Sequence, residues 1–351
     1  MLALAAAGAA IVGYRELAPS GPRTFSQATS YKGHRPAFEP VRTIRVATQS
    51  ELAAAVSRLR PGDYVQATDG FPVTGEFVIA RRLAPPGVVI DLGSGAGAVR
   101  FDYGGIGDFP SVWIHDSSHL QLYGGRVTNP AGGAGISIHG DTSSVRWWGF
   151  SVRDTAGMGL EVLPTAGPIA GVDLEGEITR WGLLPERDPH REKGTGLHAA
   201  NLGDVDGGAL TDSRFAIDAS DGPGAAVQVG NPTASGSIAG ITLILAAERL
   251  RFEAREQVAG NGLQLWGGVP VDAKVPFITT KDTDGRAVDA QGVYDGVSMA
   301  GVRILYGRAA DCCSNPHLRT TEAAVPPRAP WDPRAGIDYR DVSPSPRSST
   351  S

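Results

Sequence analysis

The sequence predicts an all-β chain wound as a single-stranded parallel β-helix, a β-solenoid, and three observations carry that prediction. Apolar patterns with a 3.6-residue period are nearly absent, so long amphipathic helices are excluded. Glycine (47 residues) and proline (25) are abundant while aromatics make up 7%, and short apolar runs are broken by Gly, Asn and Asp, as tight turns between short strands require. A four-residue segment also recurs along most of the chain, and repetition with a period in the twenties or thirties marks a solenoid.

The recurring segments are Val112–His115, Ile136–His139, Leu160–Leu163, Leu197–Ala200, Val227–Gly230, Leu263–Trp266 and Val288–Gln291. In each, the first and third residues are apolar or small and the second is mostly polar, the alternation of a strand with one buried face. Their first residues stand at 112, 136, 160, 197, 227, 263 and 288, so the intervals are 24, 24, 37, 30, 36 and 25. One coil per interval, with insertions placed in outer loops, accounts for this spacing. A sandwich or jelly roll predicts hairpin turns of about two to five residues and no long period.

Taken in order, Met1 to Tyr14 is an uncharged, Ala-rich apolar run ending at Arg15. It is short for a membrane span and reads as an export signal or anchor remnant over residues 1–18. Residues 19–42 form a linker, 43–322 the β-helix and 323–351 a Pro/Ser-rich, poorly ordered tail in which Trp331 is a candidate strap. Leu52, Ala55, Val56 and Leu59 fall on one helical face, and Pro61-Gly62-Asp63 ends that helix before Tyr64–Ala67 opens the β pattern. A short capping helix there would cover an open sheet end. This helix, Pro-Gly-Asp, strand opening resembles the N-terminal cap of pectin-lyase-like right-handed parallel β-helices, which implies right-handed winding.

The formal charge of −5 supplies no basic field for nucleic acid. Cys312 and Cys313 are adjacent, a poor structural staple, and are expected as free or vicinally bonded thiols. The chain has no phosphate-cradling Gly-rich loop, no His-Glu-x-x-His and no Gly-x-Ser-x-Gly elbow. No cofactor or metal site is called for; calcium is an option that no motif supports.

In a parallel solenoid equivalent residues stack about 4.8 Å apart. The second positions then form one exposed column: Trp113, Ser137, Glu161, His198, Gln228, Gln264 and Asp289. The fourth positions form its neighbour: His115, His139, Leu163, Ala200, Gly230, Trp266 and Gln291. Carboxylates and amides suit sugar hydroxyls, and Trp faces suit pyranose rings. Gln228, Gln264, Trp266, Asp289, Gln291 and His139 are therefore the expected substrate-binding residues, against the alternative of a merely polar exterior. Asn201 and Asn231 share one offset and are expected to stack as a turn ladder. Asp173, Glu175 and Glu177 alternate on another strand and read as solvated surface.

The 37-residue interval inserts a loop bearing Arg187-Asp188-Pro189-His190-Arg191-Glu192-Lys193. It feeds the strand of His198, beside Glu161, and loops on rigid scaffolds are common carriers of function. Asp188-Pro189-His190 resembles the Asp-Pro-His motif of mannuronan C-5 epimerases, which implies catalytic roles for Asp188 and His190 and chemistry on a uronic acid. Proton removal at C5 needs a cation on the carboxylate, for which Arg187, Arg191 and Lys193 are candidates, and a base, for which His190 and His198 are. Loss of the 4-linked sugar makes a lyase; reprotonation from the other face makes an epimerase. Glycoside hydrolysis needs two carboxyl groups about 5–9.5 Å apart. Glu161 and Asp289, four coils or about 19 Å apart, cannot supply them, so Glu161 would need Asp188, Glu192 or Asp204. The expected function is an exported, extracellular or envelope-associated, monomeric enzyme acting on a polysaccharide through Glu161, Asp188, His190 and His198. Its N terminus would attach it to membrane or cell wall if retained. A non-catalytic glycan-binding solenoid is the alternative from another class.

Overall fold

The computed structural model describes residues 38–104, 109–130, 132–165, 167–183, 198–203, 206–230, 235–251, 260–266, 271–283, 285–291, 298–299, 302–307 and 337–339. The apolar run before residue 38, the Asp188–Lys193 stretch, Asn231, Asp204, Trp331 and both cysteines lie outside them.

One coil shows how the sequence winds. Ile136–His139 is a short strand, Gly140 turns the chain at φ 65°, and Thr142–Thr155 runs on as a long strand bent at Gly149, φ 73°. The bend interrupts the ladder between Trp148 and Phe150, so the long strand contributes to two faces. Its first half pairs in parallel with Ser118–Tyr123 of the preceding coil, its second with Arg126–Asn129. The short strands stack as a separate eight-stranded parallel sheet in chain order: Phe77–Ile79, Val112–His115, Ile136–His139, Leu160–Leu163, His198–Leu202, Ala225–Val229, Leu263–Trp266 and Val288–Gln291. Six of the seven expected segments lie in this sheet at the expected register, joined by Phe77–Ile79; of the seventh, His198–Ala200 lies in it and Leu197 is outside the described residues.

Period-2 alternation sends Val112, Ile114, Ile136, Ile138, Leu160, Val162, Val227, Val229, Leu263 and Leu265 inward, all fully buried. Each is worth about 1.5–3 kcal/mol of apolar burial. Trp147 packs edge-on to Phe150, ring centroids 5.7 Å apart, and its indole N–H donates to the Gly124 carbonyl at 2.8 Å. Trp181 is likewise buried and donates to the Pro223 carbonyl, so the largest core side chains leave no indole donor unpaired.

A helix spans Gln49–Ser57 and buries Leu52, Ala55 and Val56. Thr48 caps it by accepting from the Glu51 N–H, while Glu51 Oε2 accepts from the Ala47 N–H at 2.7 Å, a capping-box arrangement. It is not the first of the described elements. The strand Arg42–Val46 comes first and pairs in parallel with Asp63–Ala67. That strand is exposed at most positions, so it lacks the apolar alternation that would announce it. Arg42 anchors it by gripping both carboxylate oxygens of Asp63, at 2.9 and 2.6 Å. The C-terminal region, expected to be without regular structure, contributes Ile337–Tyr339, which pairs antiparallel with Val302–Ile304.

Candidate active site

The register of the short sheet defines its outward column: Val78, Trp113, Ser137, Glu161, Asn201, Gln228, Gln264 and Asp289. Six of the seven expected members stand where the repeat placed them. His198 does not. Leu160 lies opposite Ala200 and Glu161 opposite Asn201, so the coil there is three residues longer than the alignment implied. Both Leu197-His198-Ala199 and Ala200-Asn201-Leu202 satisfy the small–polar–small pattern, and the two adjacent alanines hide the frame. An odd slip of this kind exchanges the two faces of a strand. Ala200 consequently leaves the fourth column, and Asn201 belongs to the second column, opposite Gln228.

His198 is almost wholly enclosed, and burial pushes its imidazole down to about 3, with the neighbouring Gln228 side chain opposing this only in part. It is neutral at ordinary pH and stands ahead of Glu161's row, so it is not the expected base beside that carboxylate.

What does assemble around Glu161 lies on its other side. Ser137 Oγ is 2.6 Å from His139 Nε2 and donates to Glu161 Oε2 at 3.1 Å. Ser137 is 1% exposed, held by the strand alternation between Ile136 and Ile138, whereas His139 and Glu161 are half-buried. Trp113 lies edge-on to the His139 ring at 5.7 Å and 5.1 Å from His115. Burial, with the charge of His115 as a lesser cause, lowers the pKa of His139, so its imidazole is neutral and basic at pH 7. Its backbone is pinned where the Thr142 hydroxyl donates to the His139 carbonyl at 2.6 Å.

The turn that leaves this row is built from charge. His115 Nδ1 bonds Asp116 Oδ2 at 3.1 Å, and Arg82 bridges Asp141 at 2.7 Å and Asp116 at 3.7 Å. The His115 contact and the Asp141 N–H hold the Asp116 carboxyl below the usual range. Asp116 itself adopts φ 47°, and its Oδ1 lies 2.7 Å from where a Cβ on Gly140 would sit.

Further along the column, Asn201, Gln228 and Gln264 are 3–5% exposed, and Asp289 is paired with Arg286 at 3.1 Å. Trp266 and Gln291 lie opposite one another in the last two rows, with their side chains outside the described part. Asp188, His190, Arg191 and Lys193 lie outside it entirely. Asp173 and Glu175 belong to a different face, where Arg214 pairs with both. Among the described residues no group of three or more His, Cys, Asp or Glu is placed to hold a metal ion, and no helix is long and apolar enough to cross a membrane. The structure thus unites two expected residues, Glu161 and His139, through one not expected to act, Ser137, and adds Trp113 and His115. The alignment had already set Ser137 between Trp113 and Glu161, which was the available signal.

No protein-family model matches the chain, and no curated protein matches it in sequence. Among solved structures it is similar to an alginate lyase from Paenibacillus sp. str. FPU-7, with TM-score 0.53 and 15% identity over 79% of this chain and 99% of that one. It is also similar to the pectate lyase Pel9A, with TM-score 0.54 and 11% identity over 81% of this chain and 74% of that one. With parallel coils stacked in register and these two neighbours in shape, the chain has a parallel β-helix fold similar to theirs.

Proposed function

We propose that this protein is a polysaccharide lyase acting on a uronate-containing glycan, with its chemistry on the short sheet around His139 and Glu161. The observation that carries the reading is the hydrogen-bonded set His139–Ser137–Glu161 beside the Trp113 ring. It offers a neutral imidazole for C5 proton removal, a carboxylate to take up charge and an aromatic surface for a sugar ring. The similarity in shape to proteins named alginate lyase and pectate lyase supports the substrate class. Residues 184–197 join the chain just ahead of the strand whose Asn201 neighbours Glu161. Asp188 and His190 are accordingly retained as candidates for further proton handling, and Arg191 and Lys193 for neutralising the uronate carboxylate. Export to the cell exterior follows from the substrate.

Hydrolysis is the weaker reading on one observation. Glu161 is flanked in its column by Ser137 and Asn201, and the next carboxylate in that column, Asp289, is four rows away. Incubation with a panel of uronate and neutral polysaccharides tests the proposal. The expected result is an unsaturated-uronate absorbance that appears with wild type and is lost in H139A and E161Q, with circular dichroism unchanged. New reducing ends without that absorbance would indicate a hydrolase, and exchange of the C5 proton without cleavage an epimerase. Silence in all assays would leave a glycan-binding solenoid.

A further inference from the structure

Ser137 has one hydroxyl hydrogen and two polar neighbours, Glu161 Oε2 at 3.1 Å and His139 Nε2 at 2.6 Å. An ionised carboxylate only accepts, so that hydrogen belongs to Glu161. The shorter contact then takes its hydrogen from the imidazole, which places the proton of the neutral ring on Nε2. Nδ1 keeps its lone pair, and none of the described residues hydrogen-bonds to it. The hydrogen-bond partner of one ring nitrogen thereby determines which nitrogen is the base.

Among the described residues the charged and titratable groups around this ring are few. His115 faces it from the preceding row with Asp116 behind, Glu161 faces it from the following row through Ser137, and the Arg82–Asp141 pair lies at the turn beyond Gly140. None of them bonds Nε2; among the described residues only Ser137 does.

We infer that Ser137 is a positioning residue that presents Nδ1 of His139 as the base and passes the Nε2 proton to Glu161. The identity of the proton donated to Nδ1 rests on the lyase reading; the hydrogen-bond assignment does not. In the step, the C5–H bond breaks and its proton forms an N–H bond at Nδ1. The electron pair left at C5 forms the C4–C5 double bond as the C4–O4 bond breaks, and the departing oxygen is protonated by solvent. The Nε2 hydrogen moves to Ser137 Oγ as the Ser137 hydrogen moves to Oε2 of Glu161. His139 ends neutral with its proton on Nδ1 and Glu161 as a carboxylic acid; after the product leaves, the Nδ1 proton passes to water while the Oε2 proton returns to Ser137 and the Ser137 hydrogen to Nε2, which restores the starting state. The imidazole therefore never has to hold a full positive charge in its half-buried site, where desolvation disfavours it.

Nitrogen-15 NMR of the histidine rings in the substrate-free protein tests the assignment. Wild type is expected to show the Nε2–H tautomer for His139, with Nδ1 unprotonated, and S137A a mixture of tautomers. E161Q is expected to keep the wild-type tautomer, because the glutamine carbonyl still accepts from Ser137, while losing the proton acceptor. In the lyase assay S137A should lower kcat about 10- to 100-fold with KM within about twofold, as for removal of a group acting in the transition state. An Nδ1–H tautomer in wild type overturns the inference, as does an unchanged tautomer ratio in S137A or an unchanged kcat in that variant. If S137A does not fold, the wild-type and E161Q spectra decide alone. The expected tautomers with no activity on any uronate would instead defeat the lyase reading and leave the assignment of Ser137 intact.

Discussion

His198 and His139 are both neutral because of burial, yet the consequences differ. His139 reaches solvent and a hydrogen-bonded carboxylate system, whereas His198 is shut in with no partner on Nδ1. The folded pKa of His198, about 3, lies below the unfolded value of about 6.5. Between those values the unfolded chain binds more protons, so the stabilisation is complete above pH 6.5 and is lost as pH falls towards 3. At its full extent the loss is on the order of 5 kcal/mol. Urea unfolding followed from pH 7.5 to 4.5 should show the wild-type midpoint falling steeply and that of H198N falling much less, with H139N as the control for the second depressed imidazole. Parallel slopes in wild type and H198N would show that His198 is not the group responsible.

At the scale of single elements, the turn after Ile136–His139 is the most constrained piece next to the site. Gly140 is held at φ 65° with Asp116 stacked against it, a conformation that costs an L-residue about 1–2 kcal/mol. G140A should therefore lower unfolding stability by at least about 1 kcal/mol, measured by denaturant melts; an unchanged midpoint would mean that the turn relaxes to negative φ at no cost. The short strands were legible in the sequence because Ile136 and Ile138, Leu160 and Val162, or Leu263 and Leu265 obey a strict inward alternation. The row at residues 198–202 was not, since Ala199 and Ala200 fit either face and are both fully buried, so that only the pairing of Ala200 with Leu160 and Val227 selects the frame. Arg42–Val46 was hidden because a mostly exposed strand carries no such pattern. Glu161 and His139 could be read as neighbours from the repeat alone. The part played by Ser137 could not, because a serine in a polar column is indistinguishable from filler until its two distances are known.

For the whole molecule, stacking makes the site a matter of adjacency between coils rather than of nearness in sequence. Trp113, Ser137 and Glu161 come from three successive rows, so deleting or inserting a residue within a strand shifts one member and dismantles the set. An insertion between rows leaves the stacking intact, as the pairing of Leu160 with Ala200 across a longer coil shows. In such a quasi-one-dimensional molecule each coil is supported by its neighbours, and the first and last coils differ in having only one.

The Ile337–Tyr339 strand has a meaning from that standpoint that its three residues would not suggest. A parallel coil ends in a row of unpaired peptide groups aimed along the axis, and a second molecule could read that row as a template and continue it. By lying antiparallel on Val302–Ile304, the returning segment gives the last described coil a partner whose polarity no further coil can copy. It works as a stop codon does, ending a repeat that has no internal reason to end. Removing residues 337–351 should leave a protein with its circular dichroism intact that forms concentration-dependent, end-to-end multimers in light scattering. A truncated chain of unchanged mass at every concentration would show that the terminus is guarded in some other way.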